Sequence, residues 1–315
     1  MSKIAFIYPG QGAQKAGMGA DFYENSEIAR YIFDQVGEEL DLDMKELCFE
    51  ENDRLDLTEY TQAAMVTTCL AMTRVAESKG LKADITAGLS LGEYPAIAAA
   101  GGMNDMDAIR LVRKRGILMQ NTVPAGEGAM CAVISMAAEE IEKVVEPIAD
   151  VSVANYNCPG QIVITGKTDA VEEAAAKLKE AGARRTIMLN VSGPFHSQML
   201  VPAGEKLAEE LEHTRFHELR IPYVTNVTAE KVTDIRETPG LLTTQISSPV
   251  RWMQSMERMI ADGVDTFVEI GPGKTLEGFL RKIDRSVKVF HISQWEDVDK
   301  VCTELADSGK MMEEA

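Results

Sequence analysis

Apolar positions in this chain follow two rhythms. Short runs rich in Ile and Val ("IAFIY" near the N-terminus, "ITAG" from Ile85) alternate with longer stretches in which apolar residues recur every three or four positions. The pattern predicts one helix around Asp21 to Val36, a second through "AAMVTTCLAMTRVAESKG", and a third after "ITAG". Unbroken apolar strands separated by helices are the signature of an α/β fold whose sheet is mostly parallel and covered on both faces.

The middle of the chain reads differently. "AMCAVISM" predicts a strand, "AAEEIEKVVEPIAD" a helix, "VSVANYN" and "QIVITG" two strands joined across Pro159-Gly160, "DAVEEAAAKLKEAG" a helix ending at Gly182, and "ARRTIMLNV" a last strand. The order β-α-β-β-α-β is that of a ferredoxin-like unit. The expected organisation is a large α/β domain from residues 1–124 and 192–315, interrupted by a small ferredoxin-like domain at residues 125–191. "TVPAGEGA" marks the entry. A cleft between two such units is where chemistry is expected.

Composition narrows the function. With 32 Lys and Arg against 50 Asp and Glu, the formal net charge is -18, which argues against a nucleic-acid binder. An anionic ligand must then meet a local cation against a repulsive background, so single arginines become informative. The N-terminal apolar run is too short for a secretion signal, and no stretch approaches a membrane span. The five cysteines, Cys48, Cys69, Cys131, Cys158 and Cys302, form no C-x-x-C pair. Neither zinc nor a disulfide framework is expected, and the reading is a reduced, cytoplasmic, monomeric protein with buried structural thiols.

"GLSLGEY" contains Gly-x-Ser-x-Gly centred on Ser90, between a predicted strand and a predicted helix. That context suits a nucleophile elbow, in which glycines let a tight turn expose the serine hydroxyl. The alternative is a helix cap, with Glu93 three residues on completing a capping box. A base decides between them. Of four histidines, His213 and His217 are spaced one helical turn apart in a charged segment, and His291 lies in an apolar strand pattern. His196, in "NVSGPFHSQML", follows a strand and a Gly-Pro turn where the chain returns to the large domain, and is the preferred base. No acid between Ser90 and His196 has a convincing setting. Asp150 and Asp169 fall in or beside the inserted unit, so a dyad oriented by a carbonyl or an amide side chain is expected.

"YPGQGAQKAGMG", "GLSLGEY", "RKRGILMQ", "NYNCPGQIVITG", "SGPFHSQML", "TTQISSPVRW" and "EIGPGKTL" occur in this order along most of the chain. Together they resemble the malonyl-CoA:acyl carrier protein transacylases and the related acyltransferase domains of polyketide synthases. The resemblance implies a hydrolase-like large domain with a ferredoxin-like small one, Ser90 as nucleophile and His196 as general acid/base. It also implies that the main-chain carbonyl of Gln245 orients His196, and that the N–H groups of Gln11 and Leu91 form the oxyanion hole. Arg115 takes the role of carboxylate anchor, for which a guanidinium with two parallel donors is chemically apt. Phe195 matches the bulky aromatic that narrows a malonyl pocket, or is a core aromatic behind the turn. Asn155 and Asn157 either border the cleft or cap a strand connection.

One position departs from the family. Where histidine commonly precedes the nucleophile, this chain has Leu89, which cannot donate a hydrogen bond to an acyl carboxylate. The implied reaction carries malonyl from malonyl-CoA through a malonyl-serine ester to the phosphopantetheine thiol of an acyl carrier protein, with coenzyme A as substrate and no metal or other cofactor. A serine thioesterase shares the elbow and the base but has no use for Arg115. Lys274, Arg281 and Lys282 are candidates for a local basic patch that meets an acidic carrier.

Overall fold

The computed structural model describes residues 3–191 and 193–307. Residues 308–315 lie outside the described residues. Among the described residues ten strands form two sheets: β1 Lys3–Tyr8, β2 Ile85–Gly88, β3 Gly128–Ile134, β4 Val151–Cys158, β5 Gln161–Lys167, β6 Arg185–Met188, β7 Tyr223–Val224, β8 Lys231–Val232, β9 Val264–Ile270 and β10 Lys288–Ile292. The larger sheet has the order β10-β9-β1-β2-β7-β8. Its first five strands pair in parallel, and β8 joins antiparallel at the edge.

The sequence of β1, KIAFIY, shows why this sheet is central. After Lys3 every residue is buried, and alternate side chains enter different cores: Ile4, Phe6 and Tyr8 join one cluster, Ala5 and Ile7 the other. A strand covered on both faces has no polar side, which is why its sequence does not alternate. The Thr58–Ser78 helix packs on one face and is buried nearly all round. Its Thr67, Thr68 and Thr73 turn their hydroxyls back to the carbonyls of Ala63, Ala64 and Cys69, so no polar group is stranded.

The smaller sheet is antiparallel in the order β4-β5-β3-β6, the ferredoxin-like arrangement. The Ala138–Val145 and Thr168–Glu180 helices cover one face, burying Cys131, Val133, Ile162 and Ile164 with Ile141, Val171 and Leu178. The opposite face belongs to the large core, through Met130, Ala132, Ala154 and Val163. Tyr156 N donates to Val250 O at 2.9 Å and Val250 N to Ala154 O at 2.8 Å, stitching β4 to the chain just before the Trp252–Ala261 helix.

Three helical expectations are corrected. The helix expected from Asp21 to Val36 is two, Ala20–Asn25 and Glu27–Leu40, because Ser26 is extended and its hydroxyl caps the second by accepting from Ala29 N. The helix expected through "AAEEIEKVVEPIAD" ends at Val145, since Pro147 has no N–H with which to carry the helical hydrogen-bond ladder further. His213 and His217 do not share a helical face: the Val201–Glu212 helix stops just before them, and His217 N donates instead to Gly102 O.

Candidate active site

The carboxyl ends of the parallel strands supply most of the site, as expected where loops fan out at that edge of an α/β sheet. The loop after β1 brings Pro9, Gly10 and Gln11, the turn after β2 brings Ser90, and the residues after β7 bring Asn226. The turn at Ser90 is tight by necessity. Ser90 has φ 54°, a left-handed conformation, and Gly88 and Gly92 are in near contact. A Cβ on Gly88 would stand 1.8 Å from Gly92 O, and one on Gly92 would stand 2.3 Å from Tyr8 O. Asn226 braces the turn, accepting from Ser90 N at 2.7 Å and donating to Gly88 O at 2.7 Å.

This geometry removes the helix-cap reading of Ser90. The short helical turn after Leu89 has no side-chain cap, and the Ser90 hydroxyl lies 2.7 Å from His196 Nε2. His196 Nδ1 lies 2.9 Å from Gln245 O and 3.1 Å from Ser248 O. Both are carbonyl acceptors, so Nδ1 carries the proton and Nε2 presents its lone pair to the serine. His196 is 3% exposed and has φ 61°. Its loop approaches the small sheet so closely that a Cβ on Gly128 would meet Pro194 at 2.3 Å. Burial, and then the Arg115 charge, hold the imidazole down at about 4, against the opposing pull of the two carbonyls.

Arg115, on the Asp105–Thr122 helix, is 1% exposed. It donates from Nη1 to Gln62 Oε1 at 2.8 Å and from Nη2 to Gln245 Oε1 at 3.1 Å and Ser90 Oγ at 3.3 Å. Its guanidinium lies 5.4 Å from the centre of the Tyr94 ring. Among the described residues no carboxylate forms an ion pair with it. Burial lowers its proton affinity, yet guanidinium stays charged at any working pH. The result is a desolvated cation beside the nucleophile, ready for a carboxylate.

Gln245 ends the Thr238–Gln245 helix and connects all these groups. Its carbonyl serves His196, its Oε1 accepts from Arg115, and its Nε2 donates to Ser90 O at 3.0 Å and Glu93 Oε2 at 2.6 Å. Glu93, read from sequence as a capping residue, is fully buried behind the turn. Its carboxyl is pushed up to about 7 by burial, against the hydrogen bonds it accepts.

A cavity of about 460 Å³ opens over Ser90 and His196. Gln11, Leu91, Arg115 and Phe195 line it from the large unit, and Met130, Asn155, Asn157 and Val163 from the small sheet. Leu91 lies in the first turn of a helix, where N–H groups have no intrahelical acceptor. Phe195 is both cavity wall and core, and both asparagines reach the cleft. Leu89 adds an apolar wall, packed so near Gly10 that a Cβ there would lie 2.7 Å from its side chain.

The remaining candidates are elsewhere. His213 is exposed, and His291, on β10, lies 3.5 Å from Glu277 Oε2. Among the described residues no three His, Cys, Asp or Glu side chains cluster as metal ligands, and no helix is long and apolar enough to cross a membrane. All five cysteines are free, four of them buried. Lys274, Arg281 and Lys282 are exposed on and beside the Thr275–Ile283 helix, whose Thr275, Leu276 and Phe279 line the cavity. Arg281 is already paired with Glu277. Sequence reasoning missed Gln62, Asn226 and Ser248 altogether. Only Glu93 carried a signal, its place in "GLSLGEY".

Comparison with known proteins agrees with this geometry. Residues 5–298 match the family described as acyl transferase domain. The malonyl CoA-acyl carrier protein transacylase of Bacillus subtilis is 44% identical over 304 residues, covering 95% of this chain and 96% of the relative. The crystal structure of the enzyme of that name from Clostridium perfringens superposes with a TM-score of 0.94 at 42% identity, covering 98% of each chain. A malonyl-transacylase solved in complex with a type II PKS acyl-carrier protein superposes at 0.93, with 35% identity over 96% of this chain and all of that one. With its elbow serine, carbonyl-oriented histidine and buried arginine in one cleft between two sheets, this chain belongs to the malonyl CoA-acyl carrier protein transacylase family.

Proposed function

We propose that this enzyme transfers a malonyl group from malonyl-CoA to the phosphopantetheine thiol of an acyl carrier protein in cytoplasmic fatty-acid synthesis. The observation that carries the reading is the Arg115 guanidinium 3.3 Å from a serine hydroxyl that is itself 2.7 Å from a neutral imidazole. Nucleophile, base and carboxylate anchor thus meet at one point.

In the first half-reaction His196 Nε2 takes the Ser90 proton as Oγ adds to the thioester carbonyl, with the acyl carboxylate held by Arg115. The oxyanion is met by the N–H groups of Leu91 and Gln11, and its collapse breaks the C–S bond. Coenzyme A leaves with the proton returned from His196 Nε2. In the second half-reaction the carrier thiol gives its proton to Nε2, its sulfur adds to the malonyl-Ser90 ester, and Ser90 regains the proton as the ester C–O bond breaks. The Gln245 and Ser248 carbonyls keep the imidazole in the required tautomer through both halves and stabilise the imidazolium in each, which is the task an acid performs in a triad. No step draws on a metal or redox group.

The test is intact-protein mass spectrometry after brief mixing with malonyl-CoA or acetyl-CoA, followed by carrier protein. A malonyl adduct on the native chain, absent from Ser90→Ala and discharged by the carrier thiol, is expected. An adduct discharged equally fast by water alone would make the enzyme a thioesterase.

A further inference from the structure

Glu93 has no place in the steps above, yet it is a buried carboxyl one hydrogen bond from the centre of the site. Its Oε2 accepts from Gln245 Nε2 at 2.6 Å and from Asn226 N at 3.1 Å. We infer that Glu93 is a positioning residue that fixes the sense of the Gln245 side-chain amide and, through it, aims Arg115 at the acyl carboxylate, making Glu93 a determinant of selectivity for charged acyl groups. The inference rests on the malonyl reading of the site.

An amide has a donor end and an acceptor end, and the two can exchange by a half-turn. Glu93 breaks that symmetry. Glu93 Oε2 already accepts from the Asn226 backbone N–H, a donor that cannot reverse, so Gln245 must turn its NH2 toward the same oxygen, which leaves Oε1 on the other side. There it accepts from Arg115 Nη2 at 3.1 Å. In the reverse orientation the amide oxygen would face the carboxylate and the NH2 would face the guanidinium. Both contacts would then be repulsive, and each would be buried, where an unmatched polar pair is most costly.

The same lock acts at two further points. Gln245 Nε2, held toward Glu93, also donates to Ser90 O at 3.0 Å, and Arg115 Nη2 also donates to Ser90 Oγ at 3.3 Å. One carboxylate therefore registers the nucleophile turn and the anchoring cation to each other. With methionine at position 93 the side chain keeps its length but offers no oxygen to accept from Gln245, so the amide is no longer held in one sense and the lock is lost.

The experiment measures single-turnover acylation of Ser90 by malonyl-CoA and by acetyl-CoA in the full-length native enzyme, Glu93→Met and Gln245→Met, with folding checked by thermal melting. Misplacing the anchor weakens substrates that carry a carboxylate more than those that do not, so the malonyl-to-acetyl rate ratio should fall at least about tenfold in Glu93→Met. Gln245→Met breaks the relay while leaving Glu93 in place, and should show a similar fall. If Glu93→Met does not fold, the Gln245→Met ratio decides. Proportionate loss of both rates, or an unchanged ratio, would overturn the inference and leave the proposed function standing. A native enzyme without malonyl preference would refute that function and this inference with it.

Discussion

Acylation of Ser90 should continue at nearly full rate down to pH 5.5. The base must be neutral to accept the serine proton, and an ordinary imidazole titrates near 6.5, which would leave about 9% of it neutral at pH 5.5. His196 is held at about 4, first by burial and second by the Arg115 cation. At pH 5.5 about 97% of it is then neutral, and the rates of native enzyme at pH 5.5 and 7.5 should differ by little. The assay is rapid-quench acylation by malonyl-CoA at subsaturating concentration, which reports the free enzyme. Both pH values lie above the isoelectric point of about 4.7, so self-association near zero charge is avoided. Arg115→Met removes the second cause, so its acid limb, read with acetyl-CoA, should move up toward neutral. A roughly tenfold fall in the native rate between pH 7.5 and 5.5 would refute the argument, because it would mean that burial and Arg115 do not disfavour the imidazolium.

The same group links stability to pH. Above pH 6.5 His196 is neutral both folded and unfolded, but as pH falls from there toward 4 the unfolded chain takes up a proton that the folded chain refuses. Folding should therefore weaken by about 1 kcal/mol by pH 5.5 relative to His196→Gln in urea titrations, and an equal slope in the two proteins would contradict the shift. Glu93 and Glu269, both pushed up to about 7, act in the opposite sense: their contributions strengthen as pH falls from 7 to 4.5, which is why the variant difference is the quantity to read. Gly88→Ala should cost about 3 kcal/mol or more and abolish the adduct, since its Cβ would collide with backbone that cannot rotate away. A stable, active Gly88→Ala enzyme would mean that the elbow can open. Lys274→Glu with Lys282→Glu should slow discharge to the carrier severalfold while leaving acylation by malonyl-CoA intact, and Arg281→Glu should do less because Glu277 already neutralises Arg281. Equal slowing of both half-reactions would exclude a carrier-docking role.

What the sequence by itself determined is what depends on neighbours along the chain. The parallel sheet was legible because a strand buried on both faces has no polar positions, and the small sheet because its strands and helices alternate in a fixed order. The elbow was legible because Gly88, Ser90 and Gly92 meet within five residues, where only glycine permits the approach. His196 was placed by its position after the inserted unit, and the roles of Gln245, Gln11 and Arg115 by the order of motifs they sit in. Tertiary structure decided everything that needed distant residues to converge. Gln62, Asn226 and Ser248 have no local signal, because an amide or a carbonyl becomes a functional partner only when the fold aims it. Glu93 shows the difference most plainly. Its spacing from Ser90 fits a capping box, but a capping residue needs an extended backbone and an open helix end. Ser90 is left-handed and the helix start is buried against Asn226 and Gln245, so the serine turns to the histidine and the glutamate turns inward.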